Sequence, residues 1–330
     1  MEIILHLTYL VAGLAILWKC AGFLVSGAVG LAGRLGVSRL VIGLTVVAMG
    51  TSTPEAAASI AGVLRGPAGG DIAIGNVYGS NIANLALVAG LIALIRPLQV
   101  RKMTLLREVP AMLVVELLLW PLVRDSHLVR IESLALLAMF AGLLVLTIRL
   151  ARREGPEAIA RIRVPEIEAD RPRHCHTLAR SLFLVAVGLA GLAAGAKMTV
   201  EGAVFLGTKL GISQGVIALT VIAFGTSLPE LVTCVVAAVK GHHDISVGNL
   251  VGSNIFNTLL VTGAAGMVRP FELSLRFAGG SDYWIMIAVS AAFAGAALIG
   301  RRSIGRIQAV ILVTTYAAYL VYLFGFTGEL

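Results

Sequence analysis

The chain has 330 residues, is 58% hydrophobic and only 13% charged, and has a mean hydropathy of +0.93. Soluble domains carry about 25% charged residues, so this composition excludes a soluble single-core fold and indicates a polytopic membrane protein. The net charge of +8 does not indicate nucleic-acid binding, because the basic residues sit in loops between apolar runs, where such residues orient membrane proteins.

Ten apolar runs of about bilayer length predict an all-α polytopic membrane protein with ten transmembrane helices. The predicted spans are Ile3–Leu24, Leu40–Leu64, Asp71–Ile95, Leu105–Val123, Val129–Leu150, Ser181–Val200, Gly215–Val239, Ile245–Val268, Tyr283–Ile299 and Ile307–Phe324. Five spans lie on each side of one long polar segment. The expected organisation is therefore a first five-helix repeat (1–150), a cytoplasmic loop (151–180) and a second five-helix repeat (181–330).

Basic residues are more numerous in the loops that share a side with segment 151–180. This bias predicts that both termini lie outside a cell inner (plasma) membrane and that the central loop is cytoplasmic. The first span has no basic region before it and no small-residue cleavage site, so we expect it to be a true span rather than a signal peptide. Because five is odd, the two repeats should have inverted topology, as in secondary transporters.

One stretch occurs in both halves. Leu35–Glu55 and Leu210–Glu230 are each 21 residues long and agree at 14 positions. Each interrupts an apolar run with Gly-Thr-Ser-x-Pro-Glu. Proline removes a backbone donor, and Thr/Ser followed by Pro and Glu is typical of a helix start. We therefore expect two half-helices in each span, with Glu55 or Glu230 at the junction.

The third and eighth spans share a second motif. Asp71–Asn84 and Asp244–Asn257 both contain Gly-Ser-Asn-Ile-x-Asn, in which Ser and the last Asn are four residues apart and lie on one helix face. We expect these spans to be broken as well, so that helices 2, 3, 7 and 8 are all discontinuous.

Packing these four spans together would gather oxygen-bearing side chains at the membrane midplane. The candidate ligands are Thr51, Glu55, Ser80, Asn84, Thr226, Glu230, Ser253 and Asn257, with freed backbone carbonyls at Ala48 and Ala223. Such a set suits a hard cation, since calcium takes about 6–8 oxygen ligands. No His/Cys set for zinc or copper occurs, and no nucleophile–base pair indicates an enzyme. Glu116 stands alone in the fourth span; a structural role is favoured over a place on an ion path.

Two facing glutamates in the bilayer repel each other unless they are neutralised. Each costs about 2.5–3.5 kcal/mol at the bilayer centre on insertion scales. One divalent cation, or monovalent cations or protons, would neutralise the pair. An empty carrier would have to move unpaired carboxylates through its closed state, so the residues favour obligatory exchange over leak.

With both motifs duplicated, the chain resembles the cation/Ca²⁺ antiporter superfamily and looks closest to the prokaryotic sodium/calcium exchangers. The resemblance implies a secondary active antiporter that exchanges Ca²⁺ for Na⁺ at one shared midplane site by alternating access, in a lipid bilayer and without a cofactor. It also implies that the first and sixth helices slide past the other eight.

The resemblance also implies roles for individual residues. It assigns Glu55 and Glu230 to calcium and a central sodium. It assigns the remaining family positions to the calcium and flanking sodium sites: Thr51, Ser80, Thr226 and Ser253 through side chains, Ala48 and Ala223 through backbone carbonyls.

One departure concerns Asn257, where many sodium/calcium exchangers have Asp. The centre then holds two acids instead of three, which leaves the counter-ion and the stoichiometry open. The first alternative is an antiporter of Ca²⁺ or another divalent cation against H⁺. The second is a passive cation channel or a non-transporting scaffold. The sequence does not give the oligomeric state.

Overall fold

The computed structural model describes residues 2–66, 69–153, 177–211 and 223–326. These residues are almost entirely helical. The helices are α1 (Glu2–Leu35), α2 (Arg39–Thr51), α3 (Thr53–Leu64), α4 (Gly69–Ile95), α5 (Val109–Val123), α6 (Arg130–Arg153), α7 (Leu178–Lys209), α8 (Ala223–Thr226), α9 (Leu228–Val239), α10 (His243–Val268), α11 (Ser281–Ile299) and α12 (Arg306–Phe326).

Among the described helices, seven are long and apolar enough to cross a membrane, and the bent pair α2–α3 makes an eighth candidate. The chain is therefore a multi-pass membrane protein, as its composition predicts. Helix α5 is shorter and follows a π-helical segment, Thr104–Glu108. The seventh predicted span is described only from α8 onward.

The predicted break in the second span is confirmed. Helices α2 and α3 meet at Ser52 with a bend of 43°. Ser227 separates α8 from α9 in the same way, and the backbone angles of the two serines nearly coincide (φ −85°, ψ 10° and φ −85°, ψ 2°). In both places proline occupies the first helical turn after the break, which stops the preceding helix and suits the new one.

The predicted breaks in the third and eighth spans are wrong. Helices α4 and α10 are continuous, and each contains a π-helical segment at the end of its motif, Ala83–Val88 and Asn257–Val261. Neither span contains a proline that would remove a backbone donor. The irregularity therefore takes the form of a π-bulge, which is frequent at functional sites.

Helices α1 and α7 are longer than the predicted spans and pack against each other. The first ends at Leu35 rather than Leu24, where Gly36 adopts a left-handed conformation (φ 65°) that favours glycine and ends helices. Glycines bring the two backbones together: a Cβ on Gly13 would lie 2.8 Å from the carbonyl oxygen of Gly195. Small residues give this close approach in membrane helix pairs.

Four short strands join loops at the ends of the helices: β1 (Leu98–Gln99), β2 (His127–Leu128), β3 (Phe271–Glu272) and β4 (Ser303–Ile304). Strand β1 pairs antiparallel with β4, and β2 with β3. The larger buried cluster lies around α4, α5, α10 and α11, and a smaller one around α1, α7 and α9.

Candidate cation site

Two carboxylates stand at corresponding places, one after each break. Glu55 lies in the first turn of α3 and Glu230 in the first turn of α9. Both side chains are completely buried. The N-terminal end of a helix carries a partial positive charge, which favours a carboxylate there. The sequence after each break therefore determines where each acid lies.

Serines connect the two breaks. Ser52 donates to Oε1 of Glu230 at 2.9 Å, and Ser80 donates to Oε1 of Glu55 at 3.2 Å. The hydroxyls of Ser80 and Ser227 are 3.2 Å apart. Glu230 is also near enough to Glu55 to repel it electrostatically. The serines thus link the two halves of the chain at two places, Ser52 to Glu230 and Ser80 to Ser227.

Several buried oxygens of this region have no hydrogen-bond partner. They are Oε2 of Glu55, Oε2 of Glu230, Oγ of Ser253, Oδ1 of Asn84 and Oδ1 of Asn257. Buried polar atoms normally have a partner, and leaving one unsatisfied costs about 1–3 kcal/mol. Carboxylate, amide and hydroxyl oxygens are the ligands of a hard cation, so the set fits such an ion chemically.

The two threonines of the set line a cavity. Thr51 is buried and donates to Oδ1 of Asn249 at 3.1 Å, while Thr226 is partly exposed. The cavity has a volume of about 750 Å³ and lies between α7 and the two breaks. Its wall includes Pro54 and Pro229, the residues that precede the two acids. The cavity therefore reaches the residues next to the two acids, while both carboxylates stay buried behind its wall.

The break does not free the carbonyl of Ala48 from its backbone partner, and its role as an ion ligand stays a prediction. Its oxygen accepts from the backbone N of Ser52 at 3.0 Å, and Oγ1 of Thr51, which also donates to Asn249, lies 3.4 Å away. Helix α2 keeps its last turn up to the break, so the carbonyl retains its usual partner. Ala223 begins α8, and its carbonyl has no described contact that would test the prediction.

Comparison with known proteins identifies the family. The model of the family described as sodium/calcium exchanger protein matches residues 5–149 and 180–325. The chain belongs to the sodium/calcium exchanger family. It is therefore a secondary transporter, an antiporter, and not an enzyme.

Two relatives of this exchanger and one solved structure match along nearly their whole lengths. The inner membrane protein YrbG of Escherichia coli (strain K12) is 36% identical over 96% of this chain and 95% of its own. The sodium/calcium exchanger MaX1 of Methanosarcina acetivorans is 34% identical over 96% and 97%. A solved structure of the sodium-calcium exchanger NCX_Mj, soaked with Na⁺ and Ca²⁺, superimposes with a TM-score of 0.79 at 28% identity, covering 97% of this chain and 99% of that one.

Sequence reasoning missed part of the site. Ser52 and Ser227 stand inside the duplicated Thr-Ser-x-Pro-Glu motif, and that duplication was the signal available. Two asparagines also contribute by holding helices together. Asn76 donates to the backbone carbonyl of Glu55 at 3.1 Å, and Asn249 donates to Sγ of Cys234 at 3.2 Å. Within the described residues, no group of three or more His, Cys, Asp or Glu side chains is arranged to hold a metal ion.

Proposed function

We propose that this exchanger carries Ca²⁺ in one direction and Na⁺ in the other by alternating access at one shared site around Glu55 and Glu230. The observation that carries the proposal is that each of these buried carboxylates has an oxygen without a partner. One Ca²⁺ would neutralise both charges, and so would sodium ions. The names of MaX1 and NCX_Mj, both sodium/calcium exchangers, support the same pair of ions. The ions are substrates, and no cofactor is needed.

The proposed ligands are the side chains that surround these two acids. Unpartnered oxygens support Ser253, Asn84 and Asn257 as direct ligands. Ser80 and the two cavity threonines, Thr51 and Thr226, are proposed to complete the calcium and sodium positions. The carbonyl of Ala48 accepts from the backbone N of Ser52 and has a second lone pair, so its part in a sodium position stays a prediction. The role of the Ala223 carbonyl stays a prediction.

The proposed architecture is ten spans in two inverted repeats, 1–150 and 181–330, joined by a loop over 151–180. The short strands support it. Strands β1 and β3 follow Arg-Pro at equivalent places, 173 residues apart, yet they belong to different strand pairs. Each pair combines one strand from each half, as two interlocked repeats would require. The family model also matches two segments, on either side of 150–179.

In the proposed orientation both termini lie outside an inner (plasma) membrane. YrbG, a relative, is named as an inner membrane protein. Helix α7 then runs outward, and the cavity residues Leu189–Glu201 occupy its middle and distal parts. The cavity would open to the outside. Because α7 forms one wall and packs on α1, movement of this pair would open and close the access path.

The decisive experiment is ⁴⁵Ca²⁺ uptake into proteoliposomes loaded with sodium, compared with choline loading and with an imposed pH gradient. We expect uptake that needs internal sodium and is lost in Glu55→Gln and Glu230→Gln. Uptake driven only by the pH gradient would identify a proton antiporter instead. Uncoupled calcium flux would identify a channel, and absence of flux would contradict transport of this ion.

A further inference from the structure

Glu116 is a third completely buried carboxyl group, and it lies on α5 outside the proposed ligand set. Its Oε1 accepts a hydrogen bond from Nδ2 of Asn254 at 3.4 Å. Its backbone carbonyl accepts from the hydroxyl of Tyr283 on α11 at 3.2 Å. The residue is therefore held between α10 and α11, and its side chain is directed to one particular asparagine.

The contacts of Asn254 determine which end of its amide is which. Nδ2 donates to Oε1 of Glu116 and also to the backbone carbonyl of Asn81, at 3.3 Å. A backbone carbonyl accepts and never donates, and the carboxyl oxygen accepts here. This end of the amide must therefore be the NH₂ group. The opposite end is the oxygen, and it accepts from Nδ2 of Asn84 at 3.3 Å.

The orientation of Asn84 follows from that of Asn254. Because its NH₂ group faces the Asn254 oxygen, its own carbonyl oxygen points the other way, where it is buried and has no partner. We infer that Glu116 is a positioning residue for the cation site: together with the backbone carbonyl of Asn81 it holds the NH₂ end of Asn254, and so helps to keep the carbonyl oxygen of Asn84, rather than its NH₂ group, available to the ion. This inference rests on the proposed function. Partners that orient ligands without touching the ion typically change metal affinity by about 10–100-fold.

The other motif asparagine, Asn81, has a different environment. Its Oδ1 accepts from Nδ2 of Asn257 at 3.2 Å, just as Asn254 accepts from Asn84. Its NH₂ group, however, donates to the hydroxyl of Thr258 at 3.0 Å and contacts Sδ of Met286 at 3.6 Å. Met286 on α11 thus faces the NH₂ group of Asn81, just as Glu116 on α5 faces the NH₂ group of Asn254. A thioether is a weak acceptor, so only the Asn84 branch depends on a carboxyl group.

Glutamine and methionine variants separate the acceptor oxygen from the charge. In Glu116→Gln, the amide oxygen can still accept from Asn254, while its NH₂ group can reach Ser290, which lies beside this carboxyl. In Glu116→Met, the side chain keeps a similar length but offers only a weak acceptor, as Met286 does on α11. One hydrogen of the Asn254 amide would then lack a good acceptor, and the backbone carbonyl of Asn81 alone would hold its NH₂ end. Met286→Leu is the matched control, since it removes from Asn81 only a weak thioether acceptor rather than a carboxyl oxygen.

The test measures the Ca²⁺ KM and kcat of sodium-driven ⁴⁵Ca²⁺ uptake, with the calcium-induced rise in unfolding temperature as a second measure of affinity. We expect Glu116→Met to raise KM about tenfold or more, with kcat changed much less. Glu116→Gln and Met286→Leu should stay within about twofold of wild type. In an Asn84→Ala background, where the oriented oxygen is already absent, Glu116→Met should raise KM no further.

The inference is overturned by a wild-type KM in Glu116→Met. It is also overturned if Glu116→Gln raises KM as much as Glu116→Met does, because the charge of Glu116 would then matter rather than its acceptor oxygen. A third contrary result is a KM in the Asn84→Ala/Glu116→Met double variant that rises by the product of the two single effects. If Glu116→Met is too unstable for transport assays, the test falls to Glu116→Gln. The inference is then overturned if calcium raises the unfolding temperature of Glu116→Gln less than that of wild type. Absence of wild-type uptake would instead contradict the proposed function, so the two failures are distinguishable.

Discussion

Ser52 donates a 2.9 Å hydrogen bond to Oε1 of Glu230, although 178 residues separate them in the chain. Ser52 is the residue at which α2 gives way to α3, so the break in one half holds the carboxylate of the other. Both residues are completely buried, and hydrogen bonds are stronger at low local dielectric. The two halves of this exchanger are therefore joined directly at this buried carboxylate.

The first prediction concerns this bond. Ser52→Ala should raise the Ca²⁺ KM, because the Glu230 carboxylate loses a donor worth about 1.5–3 kcal/mol. Ser80→Ala should act in the same direction through Glu55. The measurement is the calcium dependence of the initial rate of sodium-driven uptake. Thr315→Ala is the control, since this exposed hydroxyl on α12 bonds only to a carbonyl of its own helix. Wild-type KM in Ser52→Ala would contradict the role of the bond.

The second prediction concerns the contact between α1 and α7. In Gly13→Ala the new Cβ would lie 2.8 Å from the backbone oxygen of Gly195 and the backbone N of Thr199. Backbone atoms cannot shift away from the new Cβ unless a whole helix moves. We therefore expect the free energy of unfolding to fall by about 1–3 kcal/mol and uptake to slow. Thermal unfolding and initial rates check this. Gly142→Ala on α6, where nothing lies within 4 Å of the new Cβ, should leave both unchanged. An unchanged Gly13→Ala protein would show that the two helices need not approach so closely.

The third prediction concerns the cavity and its side of the membrane. Ala193, on α7, lines the cavity. With the three natural cysteines replaced, Ala193→Cys should react with a charged, membrane-impermeant thiol reagent added outside intact cells, because thiolates form in water. Ile311→Cys on α12, a residue 58% exposed on the face of an apolar span, should react far more slowly because it faces lipid. Labelling of Ala193→Cys only from the inside would reverse the proposed orientation.

The fourth prediction concerns the missing third acid. Nδ2 of Asn257 donates to Oδ1 of Asn81 at 3.2 Å. In Asn257→Asp two acceptor oxygens would face each other, so the ion-free protein should lose about 1–3 kcal/mol. Calcium should offset this loss, because a third carboxylate strengthens cation binding. Unfolding temperatures with and without calcium should therefore differ more in the variant than in wild type. An equal calcium effect would indicate that position 257 does not reach the ion.

Several properties could be predicted from residues alone. Apolar runs of bilayer length identified a multi-pass membrane protein, and Pro54 and Pro229 located two helix breaks, because each proline removes a backbone donor. The duplicated motifs also pointed to the family that the comparisons show. Local chemistry was sufficient for these features, since each depends on residues that are close in the chain.

The remaining features depended on contacts between distant segments. The expectation of breaks in the third and eighth spans failed because neither span has a proline to end the helix, so α4 and α10 continue through a π-helical segment. The carbonyl of Ala48 keeps its partner because α2 holds its last turn. The sequence by itself determined the class of the protein, its family and its duplicated polar residues. Such residues are informative because placing polar groups inside a membrane is energetically costly. Only the tertiary structure decided that Ser52 bonds to Glu230 and Glu116 to Asn254, because hydrogen-bond partners on different helices are selected by how those helices pack.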